Sequence, residues 1–298
     1  MSISKVGIIG SGTMGLGIAQ VCAQAGIATI VVKATPGAVN KPKAKFESGL
    51  AKAVERGKME AAVRDGILAN FTITDQESAV ADCDLVVESI IEDIGLKKAL
   101  FERLEGICRP DAILATNTST LSVTAMMAIC QHRARFAGLH FFNPAPVMSL
   151  VEVIHGFETS DETLRELVAF CEAIDKEPVV VQDTTGFIVN RLLTPYILNA
   201  IRMLERGTGT IETIDKAMMT GAGMPMGPFT LADYIGLDVV IAMSQNIFED
   251  VRQDHHSPPH TLVRLVQLGY LGRKTGKGFY DYATRPPIGN PALVHPVI

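Results

Sequence analysis

Residues 5–25 read KVGIIGSGTMGLGIAQVCAQA, and the rest of the chain is arranged around this stretch. Val6, Ile8 and Ile9 form a short apolar run with the length and β-branching of a buried strand. The run leads into Gly10-Ser11-Gly12-Thr13-Met14-Gly15, then into apolar residues at helical spacing: Met14, Ile18, Val21 and Cys22. A strand, a glycine turn and a helix in that order turn a GxGxxG match into a dinucleotide-binding fingerprint. Gly10 permits the tight turn, Gly12 lets backbone approach a pyrophosphate, and Gly15 lets helix and strand pack closely. The start of the helix, at Thr13 and Met14, offers free N–H groups and a positive dipole end to phosphates. The competing reading is a glycine-rich turn in another α/β protein, such as an adenosine-binding methyltransferase.

Working outward, 298 residues suffice for two domains and a substantial core. With 47% hydrophobic and 20% charged residues the composition is that of a globular protein, and a net charge of -5 argues against nucleic acid as the main partner. Cys22, Cys83, Cys108, Cys130 and Cys171 lack CxxC spacing and sit in mostly apolar surroundings, as reduced buried thiols do. The seven histidines show no metal-ligand spacing, so no metal is expected. With neither a signal-like start nor a run long enough to span a bilayer, the expectation is a cytoplasmic soluble protein with no membrane partner.

Strand and helix patterns alternate up to about residue 183. Strands are predicted over 27–32, 71–74, 83–89, 112–116, 135–142, 149–154 and 178–181, and helices over 46–59, 77–81, 96–107 and 160–174. This alternation predicts a mainly parallel, doubly wound sheet. An NAD-binding unit places an acidic residue at the end of its second strand, yet that position carries Lys33. A cation there suits a 2′-phosphate, so NADP is favoured, with NAD as the alternative if Lys33 is merely solvated. Glu92 and Lys97 follow the strand over 83–89 and are candidate cofactor contacts, or else surface decoration. Beyond residue 184 the pattern becomes helical, with long apolar stretches that hint at a homodimer. The expected organisation is a nucleotide-binding domain over 1–183, a helical domain over 184–284, and a proline-rich, poorly ordered tail over 285–298.

His140 and Glu152 are the expected chemical pair. Glu152 lies inside the apolar run LVEVI, and a buried carboxylate is costly unless something positive or hydrogen-bonding meets it. His140 ends the neighbouring predicted strand, and an imidazole–carboxylate pair holds one tautomer and steadies the imidazolium. A lone His before two Phe residues is more often a satisfied core residue. The nucleotide-binding pattern, the buried acid, and Ser119 and Asn143 at adjacent strand ends shift that balance, and Asn190 in the second domain is placed to close the site, since pockets favour domain interfaces.

The runs GIIGSGTMGLGIAQ, ATNTSTLSVT, GLHFFNPAPVMSLVEVI, TTGFIVNRLL, GMPMGPFTLADYIGLD and LGRKTGKGFYDY resemble the 3-hydroxyacyl-CoA dehydrogenase family, above all its bacterial 3-hydroxybutyryl-CoA members. The resemblance covers residues 4–282 in the family's order. It implies a Rossmann-type domain, a helical dimerisation domain, and an active site in the cleft between them. By position it implies His140 as the base, Glu152 as its acid partner, and Ser119 and Asn190 as holders of the substrate's oxygens. It assigns Asn143, Glu92, Lys97 and Lys274 to the nicotinamide cofactor, Asn143 also to substrate, and Lys52, loosely, to the CoA phosphates. The implied reaction interconverts a 3-hydroxyacyl-CoA and its 3-oxoacyl-CoA. Lys33 departs from the family's usual Asp. Two other readings stay open: a dehydrogenase of a hydroxy acid without CoA, and a non-catalytic nucleotide-binding relative.

Overall fold

The computed structural model describes residues 3–35 and 37–293. The chain divides into two compact units, Met1–Phe187 and Ile188–Ile298. Among the described residues of the first, the strands are β1 (Lys5–Ile9), β2 (Ala28–Val32), β3 (Phe71–Thr74), β4 (Leu85–Glu88), β5 (Ile113–Thr116), β6 (Phe136–Phe141), β7 (Leu150–His155) and β8 (Glu177–Gln182). They form one sheet in the order β3-β2-β1-β4-β5-β6-β7-β8. Neighbours run parallel except β6 and β7, which are antiparallel.

Because side chains alternate across a strand, the sheet feeds two cores. Val6 and Ile8 of β1, with Leu85 and Val87 of β4, face one side. There α1 (Thr13–Gln24), α2 (Asn40–Glu55), α3 (Ala61–Ala69) and α6 (Asp161–Ala173) contribute Ile18, Phe46, Ile67 and Leu167. Ile9 and Val86 face the other side, against Leu100 of α4 (Ile94–Ile107) and Met126 of α5 (Val123–Met127). Helices on both faces make this the doubly wound sheet expected from the alternating pattern.

Two predicted helices come out differently. The helix expected over 46–59 starts earlier and stops at Glu55, because Gly57 takes φ +66 and caps it. Lys58 N donates to Ala53 O and Gly57 N to Val54 O at 2.9 Å each, satisfying carbonyls of the last turn before α3 begins. The helix expected over 77–81 is a single 3-10 turn over Glu77–Val80.

The second unit contains α7 (Val189–Glu205), α8 (Ile211–Gly221), α9 (Pro228–Ile235), α10 (Leu237–Val251) and α11 (His260–Gln267), packed around Ile201, Phe229, Leu262 and Phe279. Two buried aspartates stitch it together. Asp215 accepts from Phe229 N (2.8 Å) and Thr230 N (3.0 Å), donors that open α9, and Asp233 accepts from Phe279 N and Tyr280 N at 2.9 Å each. The segment expected as a poorly ordered tail instead folds back: β10 (Ile288–Gly289) pairs antiparallel with β9 (Tyr280–Asp281). Gly289 N donates to Glu212 Oε1 at 2.7 Å, and buried Asn290 donates from Nδ2 to Gly278 O at 2.8 Å. Polar side chains thus tie down what the prolines alone would not. Residues 294–298 of that expected tail lie outside the described residues. Among the described residues no helix is long and apolar enough to cross a membrane.

The glycine turn itself is dictated by close approach. Gly10 has φ +126, and a Cβ there would sit 2.3 Å from Ser89 O at the end of β4. A Cβ on Gly15 would sit 2.0 Å from Gly10 O, whereas one on Gly12 meets nothing within 4 Å. Gly15→Ala is therefore expected to lower stability by about 1–3 kcal/mol or more in thermal unfolding. Gly12→Ala should leave the melting temperature in place while weakening dinucleotide binding in a fluorescence titration.

Candidate active site

The antiparallel register sets the central contact. In the β6–β7 ladder His140 is directly opposite Glu152, so both side chains rise from the same face of the sheet. His140 Nδ1 lies 2.8 Å from Glu152 Oε2, and both residues are buried, at 4% and 1% exposure. A carboxylate only accepts, so in the neutral ring Nδ1 carries the proton and Nε2 is left with its lone pair. Ser119 Oγ, 3.1 Å away, donates to that nitrogen. The rings of Phe142 and Phe187 pack beside the imidazole, centroid to centroid at 4.5 and 5.5 Å. The imidazole is thus held at both nitrogens in a largely dry setting, an arrangement suited to moving one proton to or from Nε2.

Ser119 stands on the turn after β5, and that turn is clamped from several sides. Asn117 Oδ1 accepts from Phe141 N at 2.9 Å, tying the end of β5 to the end of β6. Glu92 Oε1 accepts from Thr118 Oγ1 at 2.5 Å and from Ser119 N at 2.9 Å. Asp183 caps α5 from the end of β8, accepting from Val123 N (3.0 Å) and Thr124 N (2.7 Å). Burial alone would raise the Glu92 carboxyl, but the Lys97 charge and the donors on the Ser119 turn outweigh it and hold it below the usual glutamate range. Lys97 is no surface decoration: its side chain is fully buried, with Nζ 2.9 Å from Glu88 Oε2 and 3.0 Å from Glu92 Oε2.

The nucleotide end of the same edge fits a dinucleotide. Gly10 brings the turn against Ser89, the space over Gly12 is open, and the first turn of α1 carries no acidic residue to oppose a pyrophosphate. Thr13 is exposed and Met14 half-buried at that helix start. Lys33 follows β2, its N–H donating to Thr74 O at 2.8 Å. Its ammonium folds back on Thr35, 2.5 Å from the carbonyl oxygen and 3.0 Å from Oγ1. Asn143 is exposed just past β6, and Lys52, also exposed, lies in the last turn of α2.

The first unit therefore brings His140, Glu152, Ser119, Glu92 and Lys97 into one connected group. Asn190 and Lys274 belong to the second unit. Asn190 is buried in the first turn of α7, and Lys274 Nζ pairs with Asp238 Oδ1 at 2.5 Å. Sequence reasoning singled out neither Glu88, Asn117, Asp183 nor Phe187. For Glu88 a signal was there: it sits in the apolar run LVVE just as Glu152 sits in LVEVI.

Residues 5–184 match the family model for the 3-hydroxyacyl-CoA dehydrogenase NAD binding domain, and residues 186–282 match that for the family's C-terminal domain. The chain is 42% identical over 278 residues to a probable 3-hydroxybutyryl-CoA dehydrogenase of Deinococcus radiodurans, covering 93% of this chain and 100% of the relative. It is 44% identical over 287 residues to the human mitochondrial hydroxyacyl-coenzyme A dehydrogenase, covering 94% of this chain and 91% of the relative. Among solved structures it superposes on the (S)-3-hydroxybutyryl-CoA dehydrogenase of Ralstonia eutropha with a TM-score of 0.90 at 38% identity, covering 95% of this chain and 100% of that one. Both halves of the chain match in order, and relatives align along nearly their whole length: the chain belongs to the 3-hydroxyacyl-CoA dehydrogenase family.

Proposed function

We propose that the chain catalyses the reversible oxidation of a short-chain (S)-3-hydroxyacyl-CoA to the 3-oxoacyl-CoA, the 3-hydroxybutyryl/acetoacetyl pair being the substrate class. The observation that carries this reading is the imidazole of His140 held between Glu152 and Ser119. A nicotinamide cofactor, when bound, supplies the hydride acceptor for oxidation and the donor for reduction. Gly10, Gly12 and Gly15, with the start of α1, hold its pyrophosphate. In oxidation His140 Nε2 takes the proton of the C3 hydroxyl, and in reduction the protonated ring returns it. Glu152 offsets the positive charge that the ring acquires, and it keeps Nε2 as the nitrogen that exchanges the proton. Ser119 Oγ, already within hydrogen-bond reach of Nε2, orients the reacting oxygen. Asn143 and Asn190 keep their proposed roles toward substrate, and Lys274 toward the cofactor. The exposed cations Lys52, Arg56 and Lys58 on and after α2 favour a substrate bearing phosphates over a hydroxy acid without CoA.

The cofactor proposed is NADP rather than NAD, on the strength of Lys33. A cation at the end of β2 replaces the repulsion between a carboxylate and a 2′-phosphate by an ion pair. We also propose a homodimer through the helical unit, where Leu192 and Leu268 are 69% and 64% exposed.

Three measurements test these readings. With acetoacetyl-CoA as substrate, His140→Gln should lower kcat by about 10²- to 10⁴-fold, the range for a positioned acid–base group. Cofactor affinity, read by fluorescence, should hardly change, and a variant keeping most of its activity refutes the mechanism. Lys33→Asp should weaken or reverse a preference for NADPH over NADH in kcat/KM; a wild type that strongly prefers NADH removes the case for NADP. Sedimentation should give twice the chain mass for the wild type and a shift toward monomer for Leu192→Glu.

A further inference from the structure

Glu88 ends β4 with no exposed surface, and Lys97, in the first turn of α4, has none either. The ammonium is 2.9 Å from both oxygens of Glu88 and 3.0 Å from Glu92 Oε2, so three acceptors meet its three hydrogens. Glu88 is filled further by Ile90 N at 2.6 Å and Thr116 Oγ1 at 2.7 Å. Two carboxylates around one ammonium leave a net charge of minus one, and Glu92 is the member with exposed surface, its side chain 36% open. Its other oxygen takes the Ser119 N–H and the Thr118 hydroxyl, and Thr118 Oγ1 in turn accepts from Leu121 N at 2.9 Å. Ser119 Oγ then meets His140 Nε2. An unbroken polar path thus runs from the end of β4 to the nitrogen that exchanges the proton.

We propose that Glu88 is a positioning residue for this proton transfer, acting through Lys97 and Glu92 to fix Ser119 against His140. The inference rests on the reading of His140 as the acid–base group. Glu88 is well suited to the task because it is anchored to the sheet on both sides. It lies opposite Ile9 of β1 and Thr116 of β5, one residue before the Ser89 carbonyl that abuts Gly10. Without its charge, Lys97 has Glu92 as its remaining carboxylate within contact distance. The ammonium then draws Glu92 away from the Ser119 N–H, and the Ser119 turn loses its fixed height over the imidazole. Transfer geometry is sensitive to displacements of this size, with about 1 Å costing on the order of 10²-fold in rate.

A double-mutant cycle on the full-length protein separates positioning from bulk stability. Wild type, Glu88→Gln, Ser119→Ala and the double variant are assayed with acetoacetyl-CoA and reduced cofactor, with melting curves taken alongside. Each single change is expected to lower kcat by roughly tenfold or more, with the double variant within about threefold of Ser119→Ala, since residues in one network do not add. Losses that multiply, or a Glu88→Gln variant with wild-type kcat, overturn the proposal. Should Glu88→Gln fail to fold, Thr116→Val takes its place: it removes one bond to Glu88 and keeps every charge. A threefold or larger fall in kcat that vanishes in the Ser119→Ala background supports the proposal; an unchanged or additive effect overturns it. A wild type with no turnover overturns the dehydrogenase reading, and the proposal falls with it, whereas an active wild type with additive variants sinks the proposal alone.

Discussion

The contact between His140 and Glu152 exists because one pair of strands in the sheet runs the other way. Had β7 been parallel to β6, like the other neighbours, the chain would need a long crossover to return and the two residues would not face each other directly. Antiparallel pairing sets position 140 opposite 152 and fixes the connecting segment at its present length. A one-residue slip would carry Glu152 to the opposite face and leave a carboxylate among the apolar groups of the other core. The cost of burying that charge alone is several kcal/mol, so register and chemistry are held by the same requirement.

The remaining polar groups collect along the same edge for a related reason. In a parallel sheet every strand delivers its carboxyl end to one side, where the following helices present their N-termini. Gly10 after β1, Glu88 at the end of β4, Thr116 and Asn117 at and after the end of β5 and His140 near the end of β6 stand in adjacent positions along that edge. The strand order places β1 beside β4, which is where the Ser89 carbonyl closes on Gly10. The glycine turn and the His140–Glu152 pair thereby stand on one border of the sheet, along which Asn117 ties the end of β5 to the end of β6.

What the sequence made legible follows from how local each signal is. The strand–turn–helix of residues 5–25 and the alternating pattern up to residue 183 depend on neighbours along the chain, and the sheet follows from them. The apolar setting of Glu152 marked it as a residue needing a partner. The same argument applied to Glu88 would have found Lys97 nine residues on, in the first turn of the next helix. The ammonium of Lys33 was not readable in this way. Its position depends on the turn that follows β2, where the Thr35 carbonyl and hydroxyl receive it. The ordered chain around Asn290 was equally hidden, because its partners, Glu212 and Gly278, are brought there by the packing of α8 and β9.

The motifs shared with the family therefore mix two kinds of constraint. In GMPMGPFTLAD, a Cβ on Gly227 would come within 2.2 Å of Asp215 Cγ, and in LGRKTGKGFYDY one on Gly278 would fall 2.1 Å from Asp233 Oδ1. These glycines make room for buried aspartates that satisfy backbone donors at 229–230 and 279–280, and no proton or hydride transfer is asked of them. HFFNP and LVEVI instead carry side chains whose mutual geometry has no packing purpose large enough to offset the burial of a charge. In the function proposed above, the carboxylate buried opposite the imidazole is there because the pair moves a proton, and on that reading the same difference separates the chemical motifs from the architectural ones.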